Sequence, residues 1–285
     1  MNFLSRKKID TYLLALIPFV LLTLFFEIIP LVMTIFRSFM VEGGTGITLD
    51  HYVAIFTKPL YQQAIVNSLI ISIASACVGI VIGFFGAKAG NSTDSKTKTW
   101  FMTILNMTSN FAGVPLAFSY MIMFGSTGVF VIIGSKLGID ALAHFDLYTV
   151  TGLAFIYIYF QIPLATLLLF PAFEGIRKEW IDSVKLLGGS MWEFWKSVGI
   201  PVLTPAILGT MSVLFANALA AYATAYALLQ NNFSLLPIRI TEQFVGDIVQ
   251  RPAFGSALAV VMMLLMVLAV LLQNYMVKKQ GGRNQ

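Results

Sequence analysis

The feature that most constrains this chain is a series of long apolar runs. Each is close to the roughly 20 residues that a helix needs to cross a hydrocarbon core about 30 Å thick. They fall near residues 11 to 36, 64 to 89, 101 to 124, 148 to 170, 201 to 229 and 254 to 277, which predicts an all-α membrane protein with six spans. Over 285 residues the chain is 58% apolar and only 11% charged, with a mean hydropathy of +0.84. Soluble domains carry roughly 25% charged residues, so a water-soluble globule is excluded. A disordered chain is polar and charged, which excludes that class as well.

The first run follows Arg6, Lys7 and Lys8, like the charged start of a signal peptide. It continues to about residue 36, far beyond a 7 to 15 residue signal core, and no small-residue cleavage site closes it, so it is expected to stay as a first helix. Cytoplasmic flanks collect lysine and arginine. With the N-terminus inside, the inner side holds Arg6, Lys7, Lys8, Lys88, Lys96, Lys98, Arg177, Lys178, Lys185, Lys196, Lys278, Lys279 and Arg283. The outer side holds Arg37, Lys58, Lys136, Arg239 and Arg251. Thirteen against five predicts that both termini are cytoplasmic. The whole chain, 1 to 285, reads as one transmembrane domain: a first helix over 11 to 36, five core helices over 64 to 277, and a cytoplasmic loop over 171 to 200.

Several chemistries are missing. Cys77 is the only cysteine and lies in an apolar run, which leaves no intrachain disulfide or cysteine-rich metal site. His51 and His144 are the only histidines, so there is no HExxH zinc motif, and no phosphate-loop or GxGxxG pattern occurs. No catalytic residue, metal or cofactor is expected on this chain. The net charge of +5 is scattered between apolar blocks, unlike the patch that tracks a nucleic acid.

Polar side chains at membrane depth face other helices or a water-filled path, because lipid offers them no partner. Asn106, Thr108, Ser109 and Asn110 interrupt the third span, while Asn217, Tyr222, Thr224 and Tyr226 stud the fifth. Asn110, Asn217, Tyr222 and Tyr226 are therefore candidates for a path, with helix packing as the competing account of each. Glu27 is the one acid well inside a span. It would attract a cation or gate the outer mouth, or else sit hydrated near the end of the first helix, which is the simpler account.

The segment from Phe173 to Pro205 is the most informative. Ile176, Trp180, Val184 and Leu187 recur at helical spacing and form an apolar stripe, with Lys178, Asp182 and Lys185 on another face, where Lys178 and Asp182 can pair weakly. Gly188 and Gly189 should close that helix. Ser190 and Glu193 match a capping box, which starts a second helix at once. Pro201 and Pro205 mark its passage into the fifth span. By pattern alone this is also an amphipathic hairpin on the lipid surface, anchored by Trp180, Trp192 and Trp195.

The spacing resembles the EAA loop of permease subunits of binding-protein-dependent ABC importers, written EAA, three residues, G, nine residues, I-x-L-P. Asp182, Ser183 and Val184 stand at the EAA positions, Gly188 at the glycine, Val198 at the isoleucine, Ile200 at the leucine and Pro201 at the proline. The EAA letters are changed to DSV, and the usual DGA triplet is Leu187, Gly188, Gly189. Six spans with this loop between the fourth and fifth match the type I importer permease over nearly the whole chain.

The resemblance implies that Asp182, Ser183, Val184, Lys185, Gly188, Gly189 and Pro201 belong to the coupling loop. A short helix around Lys185 to Trp192 would dock on an ATP-binding cassette ATPase dimer, which carries the ATP and magnesium. It further implies a second permease subunit as a heterodimeric partner, an extracytoplasmic substrate-binding protein met by outer acids such as Asp50, Asp140, Asp146, Glu242 and Asp247, and a bacterial cytoplasmic membrane. Leu236 to Leu265 looks like the last outer loop and helix of spermidine/putrescine-type permeases, a group that includes aminoethylphosphonate and ferric-iron importers. Polyamine or aminophosphonate is the expected cargo, with iron next. A secondary carrier would need ion-coupling residues in its spans, and apart from Glu27 these hold almost none. A membrane hydrolase would need a metal cluster or paired aspartates, which are absent.

Overall fold

The computed structural model describes residues 16–230, 233–245 and 250–281. Arg6, Lys7, Lys8, Arg283 and Asp247 lie outside the described residues. Among those described there is no strand. Six helices are long and apolar enough to cross a membrane: Leu16–Arg37, Pro59–Asn91, Val114–Leu137, Val150–Glu174, Met191–Ala220 and Pro252–Lys279. They contribute to two compact units. One takes the described residues up to Lys58 with Arg239–Val261, the other Pro59–Ile238 with the described residues from Met262 onward.

In the first unit, helix α1 (Leu16–Arg37) buries none of its most apolar window and contains a π turn, Leu24–Ile28, that carries Glu27. The short helix α2 (Asp50–Thr57) follows. Its Tyr52 hydroxyl hydrogen-bonds Ser38 Oγ at 2.7 Å, and His51 Nε2 lies 2.9 Å from the Met40 carbonyl. Glu42 accepts from the backbone N–H groups of Ala253 and Phe254, each at 3.1 Å. It thereby satisfies first-turn donors of the last helix that have no partner within that helix.

The second unit is built on α3 (Pro59–Asn91) packed along the later helix Val150–Glu174. Helix α3 is apolar nearly all round, so its buried side is set by residue size. Ser68, Ser72, Ser75, Ala76, Gly79, Gly83, Ala87 and Gly90 form a buried stripe of small residues. Small residues let membrane helices approach closely, since lipid is as apolar as leucine and only packing distinguishes the faces. A Cβ on Gly83 would stand 2.5 Å from Ala165 Cβ, and one on Gly79 would stand 2.8 Å from Gln161 Cβ.

The chain then breaks repeatedly. Asp94 caps α4 (Ser95–Asn110); hydrogen bonds from the Thr97 hydroxyl and N–H hold its carboxyl below the usual carboxylate range. The expected third span, 101 to 124, is not one helix. It consists of α4 and α5 (Val114–Phe124), separated by Phe111 to Gly113, with Gly113 at φ +73°. A further turn leads to α6 (Val129–Leu137) and α7 (Asp140–Ala143). Helix α8 (Val150–Glu174) starts at a Thr149 cap, and α9 (Lys178–Leu186) follows.

Helix α10 (Met191–Ala220) runs without a gap through a π turn at Trp195–Gly199. Pro201 sits just after that turn, in the first turn of the α-helical stretch Ile200–Ala220. The expected fifth span, 201 to 229, is likewise split, at Ala221, into α10 and α11 (Tyr222–Leu229). Helix α12 (Leu236–Glu242) and the closing helix α13 (Pro252–Gly281) complete the chain. The segment before α12 is pinned to α3: Asn67 Nδ2 donates to Ser234 O at 3.1 Å, and Leu236 N–H to Ser68 Oγ at 2.9 Å.

Candidate functional site

Two places in the second unit hold the residues singled out by sequence, and one continuous helix joins them. The first is the hairpin of α9 and the start of α10. Gly188 has φ +78°; its N–H bonds Lys185 O at 2.9 Å, and Gly189 N–H bonds Val184 O at 2.9 Å. Both bonds reach back to the last turn, the pattern of a Schellman closure. Ser190 then caps α10, with its side chain on the Glu193 N–H and the Glu193 carboxylate returning to the Ser190 N–H, so the capping box is complete.

Three details differ from expectation. Lys185 to Trp192 is not a short helix but the turn itself; the short helix is Lys178–Leu186. Lys178 and Asp182 do not pair, since the ion pairs among the described residues are Lys98–Glu174 and Arg239–Glu242. Leu187 leaves the stripe: Ile176, Trp180 and Val184 are half-buried, whereas Leu186 and Leu187 are 89% and 88% exposed and Trp192 is 75% exposed. The turn therefore presents an apolar tip flanked by the exposed Asp182, Ser183 and Lys185. Leu186 escaped sequence reasoning because nothing local distinguishes an exposed leucine from a packed one, whereas Trp192 is one of the surface anchors expected of the hairpin.

Behind the tip the hairpin is anchored. Phe194 is buried, and Trp195 lies 6.1 Å from Phe84 and 6.2 Å from Phe173, centroid to centroid. From there α10 runs on to Ala220 without a break in the helix.

At that end is the second place, a cavity of about 590 Å³ lined by both helix breaks. Asn110, Asn217 and Tyr222 all line it, joined by Ser109, Phe160 and Thr224. Tyr226 stacks on Tyr222, with ring centroids 5.1 Å apart. Glu27 is not among the lining residues; it is exposed on the π turn of the first unit.

The freed backbone groups find partners. Tyr157 donates its hydroxyl to Ala221 O, and Thr224 Oγ1 donates to Gly113 O at 3.3 Å. Non-helical backbone at membrane depth is tolerated where it is buried in protein or lines a cavity. Gln161 is the residue that sequence reasoning missed. It is fully buried, donates through Nε2 to Leu214 O at 2.6 Å, and accepts at 3.5 Å from Asn217 Nδ2. Its signal was present: it is the lone carboxamide in the apolar run of α8.

Among the described residues no group of three or more His, Cys, Asp or Glu is placed to hold a metal. A broken-helix cavity and an exposed hairpin thus lie at the two ends of one continuous helix. The chain belongs to the family described as binding-protein-dependent transport system inner membrane component, whose model matches residues 79–281.

The chain is 23% identical over 254 residues to a spermidine/putrescine transport system permease protein, PotB, of Haemophilus influenzae, covering 87% of each chain. It is 27% identical over 237 residues to a multiple sugar-binding transport system permease protein, MsmF, of Streptococcus mutans, covering 78% of each. A thiamine transport system permease protein, ThiP, of Haemophilus influenzae is 24% identical over 160 residues, 56% of this chain; the match spans only 29% of that relative's length. Among solved structures, a bacterial ABC transporter importing the acidic polysaccharide alginate has a chain that superposes with a TM-score of 0.73 at 20% identity, covering 98% of this chain and 99% of that one. The fold is that of an ABC importer permease.

Proposed function

We propose that this permease forms half of a solute path and couples it to a separate ATP-binding cassette ATPase dimer through the hairpin of α9 and α10. The observation that carries the reading is the continuity of α10. Its first turn carries Trp192 beside the exposed tip and its last turn ends at the cavity, so displacement at one end reaches the other. ATP and magnesium belong to the ATPase. Its two states must bind the hairpin's two positions with different affinity if hydrolysis is to drive the cycle.

The resemblance to the EAA loop supports placing the hairpin, and with it both termini, in the cytoplasm of a bacterial cell. A second permease subunit, in a heterodimer, would complete the path, and an extracytoplasmic binding protein would deliver cargo. For the cargo, the likeness of Leu236 to Leu265 to spermidine/putrescine-type permeases puts polyamine and aminophosphonate first and ferric iron next. Relatives named for thiamine and for multiple sugars widen the field.

The test is crosslinking. In a Cys77→Ser background, Leu187→Cys is coexpressed with ATP-binding cassette ATPases of the same cell and treated with a short thiol crosslinker. Capture of the ATPase is expected. A hairpin labelled only by lipid-phase reagents, with no ATPase captured, would return it to the membrane-surface account.

A further inference from the structure

The side of α10 turned away from the cavity carries a second hollow, which the path does not use. A groove of about 360 Å³ lies between α3, α10 and α13, with all its lining residues in the second unit. On α10 it is lined by Leu208 and Phe215. These stand nine and two positions from Asn217, hence about 180° and 160° from it around the helix. With the path on the Asn217 side, the groove side faces lipid, and Leu268 and Leu272 on its α13 wall are half-exposed.

On α13 the lining residues Leu265, Leu268, Leu272 and Met276 recur at three- and four-residue spacing, and the next position on that stripe is Lys279. Leu265 to Met276 covers about 16 Å of helix, close to half of a hydrocarbon core about 30 Å thick. The groove therefore has the depth of one leaflet and ends beneath a pair of lysines, Lys278 and Lys279. Both are exposed, and the ion pairs among the described residues engage neither.

One lining group has no reason to face hydrocarbon. Gln273 lines the groove, and its Nε2 lies 3.7 Å from where a Cβ on Gly209 would stand, so the bare glycine makes room for the carboxamide. Ser212, which also lines the groove, donates within its own helix to Leu208 O at 3.3 Å. The Gln273 side chain has no hydrogen bond among the described residues. A carboxamide set against hydrocarbon is costly until it meets an acceptor. Gln273 lies about 8–9 Å along the helix from the lysine pair, deeper than a charged headgroup and at the level of the glycerol esters.

We propose that this groove binds an anionic glycerophospholipid from the leaflet at the C-terminal end of α13. One acyl chain lies along Leu265, Leu268 and Leu272, an ester carbonyl accepts from Gln273 Nε2, and the phosphate meets Lys278 and Lys279. Lysines near a helix end extend on flexible stems toward the interface, and a basic pair there favours an anionic headgroup over a zwitterionic one. A packed protein helix would cover the leucines equally well, but it would leave the two lysines without counter-charge. The lipid site goes beyond the permease reading; only the choice of lipid-facing side rests on it.

The full-length permease is reconstituted in vesicles of phosphatidylethanolamine and phosphatidylglycerol in equal amounts, extracted in mild detergent and weighed by native mass spectrometry. Retention of phosphatidylglycerol in preference to phosphatidylethanolamine is expected. Replacing both lysines, Lys278→Gln with Lys279→Gln, should lower that preference about tenfold. Gln273→Leu should weaken retention of either lipid, and Ala269→Phe, which fills the groove, should remove it. Leu264→Phe, on α13 but outside the groove, should leave retention unchanged. Equal retention of the two lipids, or a preference that survives loss of both lysines, would overturn the proposal. Retention that Ala269→Phe does not lower would overturn it too, by placing the lipid elsewhere. In the Cys77→Ser background, Leu268→Cys that crosslinks to a second permease chain in intact membranes would overturn it in favour of a protein-covered face. Capture of the ATPase at Leu187→Cys is read separately, so failure of the lipid site and failure of the permease reading are distinct results.

Discussion

The ammonium of Lys88 lies 4.5 Å from the centroid of the Trp195 ring. That contact joins the C-terminal end of α3 to the root of the hairpin, where the ring also meets Phe84 and Phe173. Cation and ring together contribute about 0.5–1 kcal/mol when exposed and more when desolvated. On the proposed coupling, Trp195 is also the point at which force entering at Leu187 would be passed to the bundle.

Trp195→Ala should therefore loosen transmission as well as stability. A half-buried aromatic sits at the low end of the roughly 3–5 kcal/mol that core aromatic deletion costs. The expected result is a lower melting temperature and ATPase activity that no longer tracks uptake, with Trp195→Phe restoring most of both. Uptake and ATPase falling in strict proportion would mean that the ring serves stability alone.

Gly188 adopts a left-handed backbone with nothing within 4 Å of where a Cβ would stand. Its substitution is thus a pure backbone experiment. Gly188→Ala should weaken the hairpin by about 1–2 kcal/mol, Gly188→Asn by less, because asparagine tolerates that region, and Gly188→Pro should abolish coupling while leaving membrane insertion intact. Asp182→Lys, on the exposed flank, should uncouple without any change in stability. Substrate-stimulated ATPase measured beside uptake separates these outcomes; normal values in both Gly188→Pro and Asp182→Lys would refute the coupling role.

Leu187 and Trp192 are exposed at the hairpin tip, so polar replacement removes little packing. Leu187→Ser and Trp192→Ser should shift stability by less than about 0.5 kcal/mol each. Both should still reduce the amount of ATPase that copurifies severalfold, because an apolar tip can bind only where it becomes buried. Retention of full copurification in the double variant would move the docking surface elsewhere on the loop.

How much of this was visible in the chain depends on whether the cause is local. Gly188, Ser190 and Glu193 announced the hairpin correctly because a left-handed cap and a capping box are decided within a few residues. Asn110, Asn217 and Tyr222 were visible as polar groups at membrane depth, and they do converge on one cavity. The break at Ala221 was not visible, since the run from Ala216 to Ala223 has strong helix propensity, and the hydroxyl that bonds the Ala221 carbonyl there comes from Tyr157 on another helix. The stripe through Gly79 and Gly83 was overlooked for the opposite reason: in a helix apolar on every side, hydropathy has no period, and the packing face is written in side-chain size. Leu187 was assigned to the stripe because periodicity does not know where a helix stops.

Gln161 offers the sharpest separation of packing from passage. Its side chain is fully buried and spans from α8 to the Leu214 carbonyl on α10, while its oxygen meets Asn217 at the cavity. Gln161→Leu removes one good hydrogen bond and one long one, which should cost about 0.5–1.5 kcal/mol. It also leaves the Asn217 amide without its partner and free to turn into the lumen as a donor. If the cavity conducts, Gln161→Leu should raise the apparent KM for uptake while ATPase docking at the distant tip is unaffected, and Asn217→Leu should alter transport in the same way without a stability cost of that size. The two changes act on one contact, so the double variant should fall short of their sum, since residues that share a hydrogen bond do not contribute independently. Additive losses, or an uptake rate unchanged by Asn217→Leu, would return Asn217 to helix packing and detach the cavity from the path.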